Sequence, residues 1–185
     1  TQKGKVSTAA RPEPAAQRAA AINAEYAACV TLYQQGRSAE ALPRIRALAE
    51  QLPQSAPVWK VLGAVLSAVG HKQEALAAKR RAVELDPNDP DAQANLGNSL
   101  QDEDLLDEAE AHCRAALQVN PQHDNALNNL GLVLYRQGRY LEARDVLQQA
   151  LVHSPDFAEA LVNLGNIKRD MGEKTEAEQL YRRAI

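Results

Sequence analysis

Pro53, Pro87, Pro121 and Pro155 stand 34 residues apart, and the pairs Leu62-Gly63, Leu96-Gly97, Leu130-Gly131 and Leu164-Gly165 keep the same spacing. A fixed period of this length restricts the chain to an array of stacked units, each packed only on its neighbours. Such an array encloses no single active-site pocket, so function has to be sought on the surface that successive units present together. With position 1 at Ile22, Ala56, Pro90, Asp124 and Ala158, every later position aligns. Glu-Ala pairs fall in register at Glu40, Glu74, Glu108, Glu142 and Glu176, each followed by alanine. Position 15 is glycine at Gly36, Gly70, Gly138 and Gly172, and Asp104 interrupts that column. Positions 4, 7, 8 and 11, as in Trp59, Leu62, Gly63 and Leu66, are apolar or small at helical spacing. After the glycine a second helical run, such as EALAAKRRAVEL, closes at proline, so each unit is a helix, a tight turn and an antiparallel helix.

The segment WKVLGAVLSAVGHKQEALAAKRRAVELDP carries Trp59, Leu62, Gly63, Gly70, Ala75, Ala82 and Pro87 at the spacings of a tetratricopeptide repeat, which it closely resembles. The resemblance spans residues 22–185 and implies an all-α fold. The expected architecture is a right-handed superhelical solenoid of about five helix-turn-helix repeats, the last one truncated. The expected units are 22–55, 56–89, 90–123, 124–157 and 158–185, within a domain covering 15–185. Residues 1–14, polar, proline-containing and without period, read as an N-terminal tail or linker, and helix 1 is expected to begin near Ala15. The first repeat departs most from the pattern, with Glu25, Ala28 and Cys29 in place of Trp, Leu and Gly. Pro43 lies inside its second helix, where a missing backbone donor is expected to bend or weaken the first turns.

The composition excludes several classes of function. A net charge of -3 argues against a nucleic-acid footprint, which needs clustered lysine and arginine. The one basic cluster, Lys79, Arg80 and Arg81, reads as a solvated face. No apolar run approaches the roughly 20 residues needed to cross a bilayer, and no secretory leader opens the sequence, so a soluble, cytoplasmic protein is expected. Cys29 and Cys113 occupy core positions 8 and 24 and read as buried free thiols. His71, His112, His123 and His153 share no ligand spacing with them, and neither a metal site nor a cofactor is indicated. There is no phosphate loop, nucleophile elbow or HExxH pair, and the glutamates at position 19 suit the helix dipole. No catalytic residue is assigned, and the chain by itself reads as a non-enzyme.

Helix geometry then selects the surface. At about 100° per residue, positions 4, 7, 8 and 11 form the core side of each first helix, and positions 2, 5, 6, 9, 12 and 13 face a concave groove. Asparagine dominates that face: Asn95, Asn129 and Asn163 at position 6, Asn98 and Asn166 at position 9, with Asn125 and Asn128 beside them. Tyr135 and Arg169 at position 12 complete the candidate peptide-binding set, with Asp91, Gln101, Asp102, Arg136, Glu159 and Asp170 around it. A carboxamide both donates and accepts, so an asparagine holds a peptide unit without reading its side chain. First helices about 10 Å apart would match three residues of an extended chain. The rungs Asn95, Asn129 and Asn163 and the phrases NLGN and NLGL resemble the asparagine ladder that precedes the catalytic domain in O-linked N-acetylglucosamine transferases. As a surface ladder, its replacement by alanine is expected to weaken peptide binding and leave the thermal transition nearly unchanged. The lysine-asparagine clamp of chaperone-tail binders is missing, because Lys60 is followed by Ala64 and Asn98 is preceded by Ala94 at the matching positions.

The expected function is a protein-protein interaction scaffold that binds an extended peptide or a partner helix in its groove. The sequence ends at Ile185 inside the second helix of repeat 5. Stacked repeats need a polar cap there. One alternative is therefore the substrate-recruiting N-terminal arm of a larger bacterial-type glycosyltransferase or sulfotransferase, and another is a homo-oligomer formed through the uncapped C-terminal repeat. The partners implied are a protein or peptide, with no nucleic acid and no membrane.

Overall fold

The computed structural model describes residues 15–185, and the expected tail at 1–14 lies outside them. The described residues form ten α-helices: α1 Ala15–Gln34, α2 Ser38–Gln51, α3 Ala56–Ala68, α4 Lys72–Leu85, α5 Pro90–Asp102, α6 Leu106–Val119, α7 Asp124–Arg136, α8 Tyr140–His153, α9 Ala158–Asp170 and α10 Lys174–Arg183. They pair as consecutive hairpins, α1 with α2 through α9 with α10, and each second helix packs on the next first helix. The result is a helical-repeat solenoid. None of these helices is long and apolar enough to cross a membrane.

Each hairpin turn has one construction. After α3 the N–H of Gly70 bonds the carbonyl of Ser67 at 3.1 Å, and that of His71 bonds Leu66 at 2.9 Å, which ties off two orphan carbonyls at the helix end. The residue at the centre takes a left-handed backbone, φ 84° at Gly70, and in repeat 3 Asp104 takes it at φ 63°. The interruption of the glycine column therefore leaves the turn intact. At the other end of the unit, position 4 reaches the preceding proline: Trp59 Nε1 donates to the Pro53 carbonyl at 3.0 Å and Gln93 Nε2 to that of Pro87 at 2.8 Å. Gln93 is a polar residue in a core column, and its other atom, Oε1, lies 2.7 Å from His112 Nδ1. Both ends of the amide are satisfied, as burial requires.

The core forms two main bodies. Cys29, Ile45, Leu62, Val65 and Ala75 join α1 to α4, and Leu130, Leu134, Leu147, Leu164 and Ile167 join α7 to α9. A smaller set, Val83, Leu96, Leu100, Ala109 and Val133, links the two across α4 and α5. Positions 3 and 10, for example Ala126 and Val133, are also buried, so the core stripe is wider than positions 4, 7, 8 and 11. In the hairpins of repeats 2 to 5 the glycine at position 8 lies under the side chain at position 24. A Cβ on Gly131 would stand 2.5 Å from Leu147 Cγ. α2 runs from Ser38 to Gln51 through Pro43, whose ring lies on the exposed face, where the carbonyl that lost its donor is open to solvent. Cys29 and Cys113 are free and buried, and burial drives both thiols up, Cys113 to about 12, which leaves them unreactive.

Candidate functional site

The asparagine rungs do not form one open row. Asn163 Nδ2 donates to Asn128 Oδ1 at 2.9 Å, and Asn129 Nδ2 donates to the Ala94 carbonyl at 3.2 Å. In both cases position 6 of one first helix bonds position 5 of the preceding one. Asn128 is thereby buried, at 9 % exposure, because position 5 lies between adjacent first helices and not over the groove. Asn166 Oδ1 accepts from Tyr181 of its own hairpin at 2.9 Å. Position 12 and 13 side chains make similar bridges: Tyr135 OH to Asp170 at 2.5 Å, and Arg136 to the Gln101 carbonyl and, at 2.9 Å, to Asp104. Gln101, expected beside the groove, is buried. Arg169 is exposed and pairs with adjacent Asp170 at 3.0 Å.

These bonds serve the stack, and they revise the expectation that the ladder is purely surface. Removing Asn129 and Asn163 takes away contacts between repeats, each of the order of 1 kcal/mol. Their loss is therefore expected to lower the thermal transition.

Repeat 3 is different. α1 touches α3, α5 touches α7 and α7 touches α9, but no comparable contact joins α3 to α5. Between them lies a cleft of about 460 Å³, lined by Tyr33, Lys60, Ala64, Ser67, Ala68, Lys79, Ala82, Ala92, Asn95 and Asn98. The sequence accounts for it. Positions 9, 12 and 13 of α3 are Ala64, Ser67 and Ala68, where α7 has Leu132, Tyr135 and Arg136, so no side chain fills the space. Asn95 and Asn98 stand exposed on its α5 wall. Asn125 lies elsewhere, in a shallower cleft at the inter-repeat turns with Asp91, His123, Asp156 and Phe157.

Charge in the α3–α5 cleft is uneven. Lys60 Nζ sits 2.6 Å from Asp89 and 3.9 Å from Asp91. Burial would lower the Lys60 pKa, but the bond and attraction to Asp89 outweigh it and the value rises. Burial would likewise raise that of Asp89, and Lys60 with the α5 N-terminal amides pulls it down. Lys79, from α4, donates to Ser99 Oγ at 2.6 Å. Its pKa falls, because burial outweighs the attraction of Asp102. The basic cluster is thus not a simple solvated face: Lys79, Arg80 and Arg81 are half-buried, and Arg80 forms a two-pronged pair with Glu108 at 2.5 and 2.8 Å. The sequence reading left Lys60, Lys79 and Tyr33 out of the candidate set. The signal for Lys79 was present in column 24, which otherwise reads Ile45, Cys113, Leu147 and Tyr181.

Comparison with known proteins agrees with this architecture. The profile of the cytochrome c-type biogenesis protein H TPR domain matches residues 44–156, and two tetratricopeptide-repeat profiles match 128–185 and 23–47. No curated protein sequence matches significantly. Among solved structures, PilF of Pseudomonas aeruginosa superposes with a TM-score of 0.80 at 21 % identity, covering 91 % of this chain and 77 % of that one. MamA of Desulfovibrio magneticus RS-1 gives 0.75 at 18 % identity, with 88 % and 92 % covered. A further MamA structure gives 0.71 at 21 %, covering 83 % and 90 %. At such identities the likeness concerns the fold.

Proposed function

The chain belongs to the tetratricopeptide-repeat family, whose fold is that of a protein-interaction scaffold, and on that premise we propose that its first-helix face holds an extended segment of a partner protein. One observation carries this reading: the cleft between α3 and α5 leaves Asn95 and Asn98 exposed, while Asn128, Asn129, Asn163 and Asn166 are spent on neighbouring helices. Asn95 and Asn98 are one helical turn apart, so both amides point the same way. Each amide bonds the N–H and C=O of a peptide unit, which gives affinity without strict sequence preference. Asn128, Asn129, Asn163 and Asn166 have a supporting role, fixing the spacing of the helices along which the peptide runs.

Selection of a random 12-residue peptide library on the immobilised full chain tests the proposal. Enriched peptides are expected to lose roughly tenfold or more in affinity for the Asn95→Ala/Asn98→Ala variant, about 1 kcal/mol per lost bond. The Asn129→Ala/Asn163→Ala variant is expected to melt at a lower temperature. Equal binding to wild type and the Asn95/Asn98 variant would remove the assignment of the site.

A further inference from the structure

We infer that the α3–α5 cleft accepts an acidic side chain of the bound peptide, and that Lys79 is the residue that reads it. The inference rests on the peptide-groove reading above and adds the chemistry of the ligand. It starts from an anomaly in the repeat. In repeats 2 to 5 position 24 packs over the glycine at position 8, and in the four units other than repeat 2 it is filled by Ile45, Cys113, Leu147 and Tyr181. In repeat 2 it is Lys79, whose Cγ lies where a Cβ on Gly63 would fall, 2.7 Å away. The aliphatic stem therefore occupies the core slot, Lys79 lines the cleft, and its ammonium reaches across to Ser99 on α5.

A cation in such a place costs stability unless it is paired. Lys79 has only a hydroxyl partner, Ser99, and among the described residues no carboxylate lies within ion-pairing distance of it. Asp102 is felt electrostatically but stands farther off. The neighbouring cation, Lys60, is already paired with Asp89 and, at 3.9 Å, with Asp91, so Lys79 is the cation of the cleft lining that has no ion-pair partner. Around it stand Asn95 and Asn98, which supply amide donors, and Tyr33, while Ala64, Ala68, Ala82 and Ala92 supply an apolar wall. The volume of about 460 Å³ falls within the range of small-ligand sites and readily admits a glutamate side chain. An ammonium with amide donors, and no arginine fork, suits a singly charged carboxylate better than a phosphate. A position that breaks the rule of its own column at a cost in stability is where function is expected to reside.

The test uses the full chain and matched sets of 12-residue peptides drawn from the library selection, with glutamate or aspartate, their glutamine or asparagine counterparts, or phosphoserine at one position. Wild type is expected to favour the acidic peptides at least tenfold over the amides. Lys79→Leu, which restores the residue type found at Leu147, is expected to bind acid and amide peptides alike and to melt higher, because a desolvated charge has been removed. Lys79→Met, which keeps the stem and drops the charge, is the companion should leucine not fit. Acid preference that survives in both variants, or no preference in wild type, overturns the inference and leaves the groove reading standing. Tighter binding of phosphoserine than of glutamate overturns the carboxylate assignment. Failure of every peptide to bind removes the groove reading, and this one with it.

Discussion

Gly131 and Gly138 belong to one repeat and are glycine for unrelated reasons. Gly138 holds φ 78°, with nothing within 4 Å of where a Cβ would be, so the requirement is purely of the backbone. Gly131 is helical, and its constraint is the buried Leu147 side chain above it. Gly138→Ala is expected to cost about 1–2 kcal/mol, the left-handed penalty, and Gly131→Ala about 1–3 kcal/mol from overpacking. Urea denaturation with Leu147→Ala as the second change separates them: coupling with Gly131→Ala and additivity with Gly138→Ala are expected. Both columns were legible in the sequence. Asp104 in column 15 was legible as an exception, but not its consequence, since aspartate tolerates the left-handed region and the turn survives. Lys79 in column 24 was equally visible, yet its environment depends on the small residues of α3 across the cleft.

The helix carries the next level of information. In α7 the apolar stripe Leu127, Leu130, Val133 and Leu134 is buried, and α7 touches the hairpins on both sides. Leu130→Ala is expected to cost about 2–5 kcal/mol as a core truncation and, in a circular-dichroism denaturation profile, to split the transition by uncoupling the units on either side. A single cooperative transition displaced as a whole would show that coupling does not pass through this residue. Helix periodicity alone sorted core from surface well at positions 7, 8 and 11 and failed at position 5. One helical wheel has two sides, whereas a first helix such as α7 has three neighbours: its own second helix, the preceding hairpin and the next first helix. Asn128 falls on the third contact, which a single helix does not reveal.

At the scale of the whole molecule, the seam between repeats 2 and 3 is the weakest part of the stack. The core bodies of α1–α4 and α7–α9 meet there through one small cluster, and polar pairs such as Arg80–Glu108 and Lys60–Asp89 span it. Exposed or half-exposed pairs of this kind contribute little each, about 0–1 kcal/mol. Native-state hydrogen exchange is therefore expected to resolve two blocks, α1–α4 and α5–α10, with different opening free energies. One common opening free energy for all ten helices would contradict a weak seam. The same thinness that makes the seam weak makes it open, so the proposed binding site and the least stable junction coincide. The sequence by itself determined the repeat, the hairpin turns, the core columns and the class of the fold, because each depends on contacts within one unit or with the next, and such contacts recur with the period. Only the tertiary structure decided which asparagines remain free and where a cleft opens. Those outcomes depend on pairs 35 residues apart and on three small side chains in α3, which the period does not repeat.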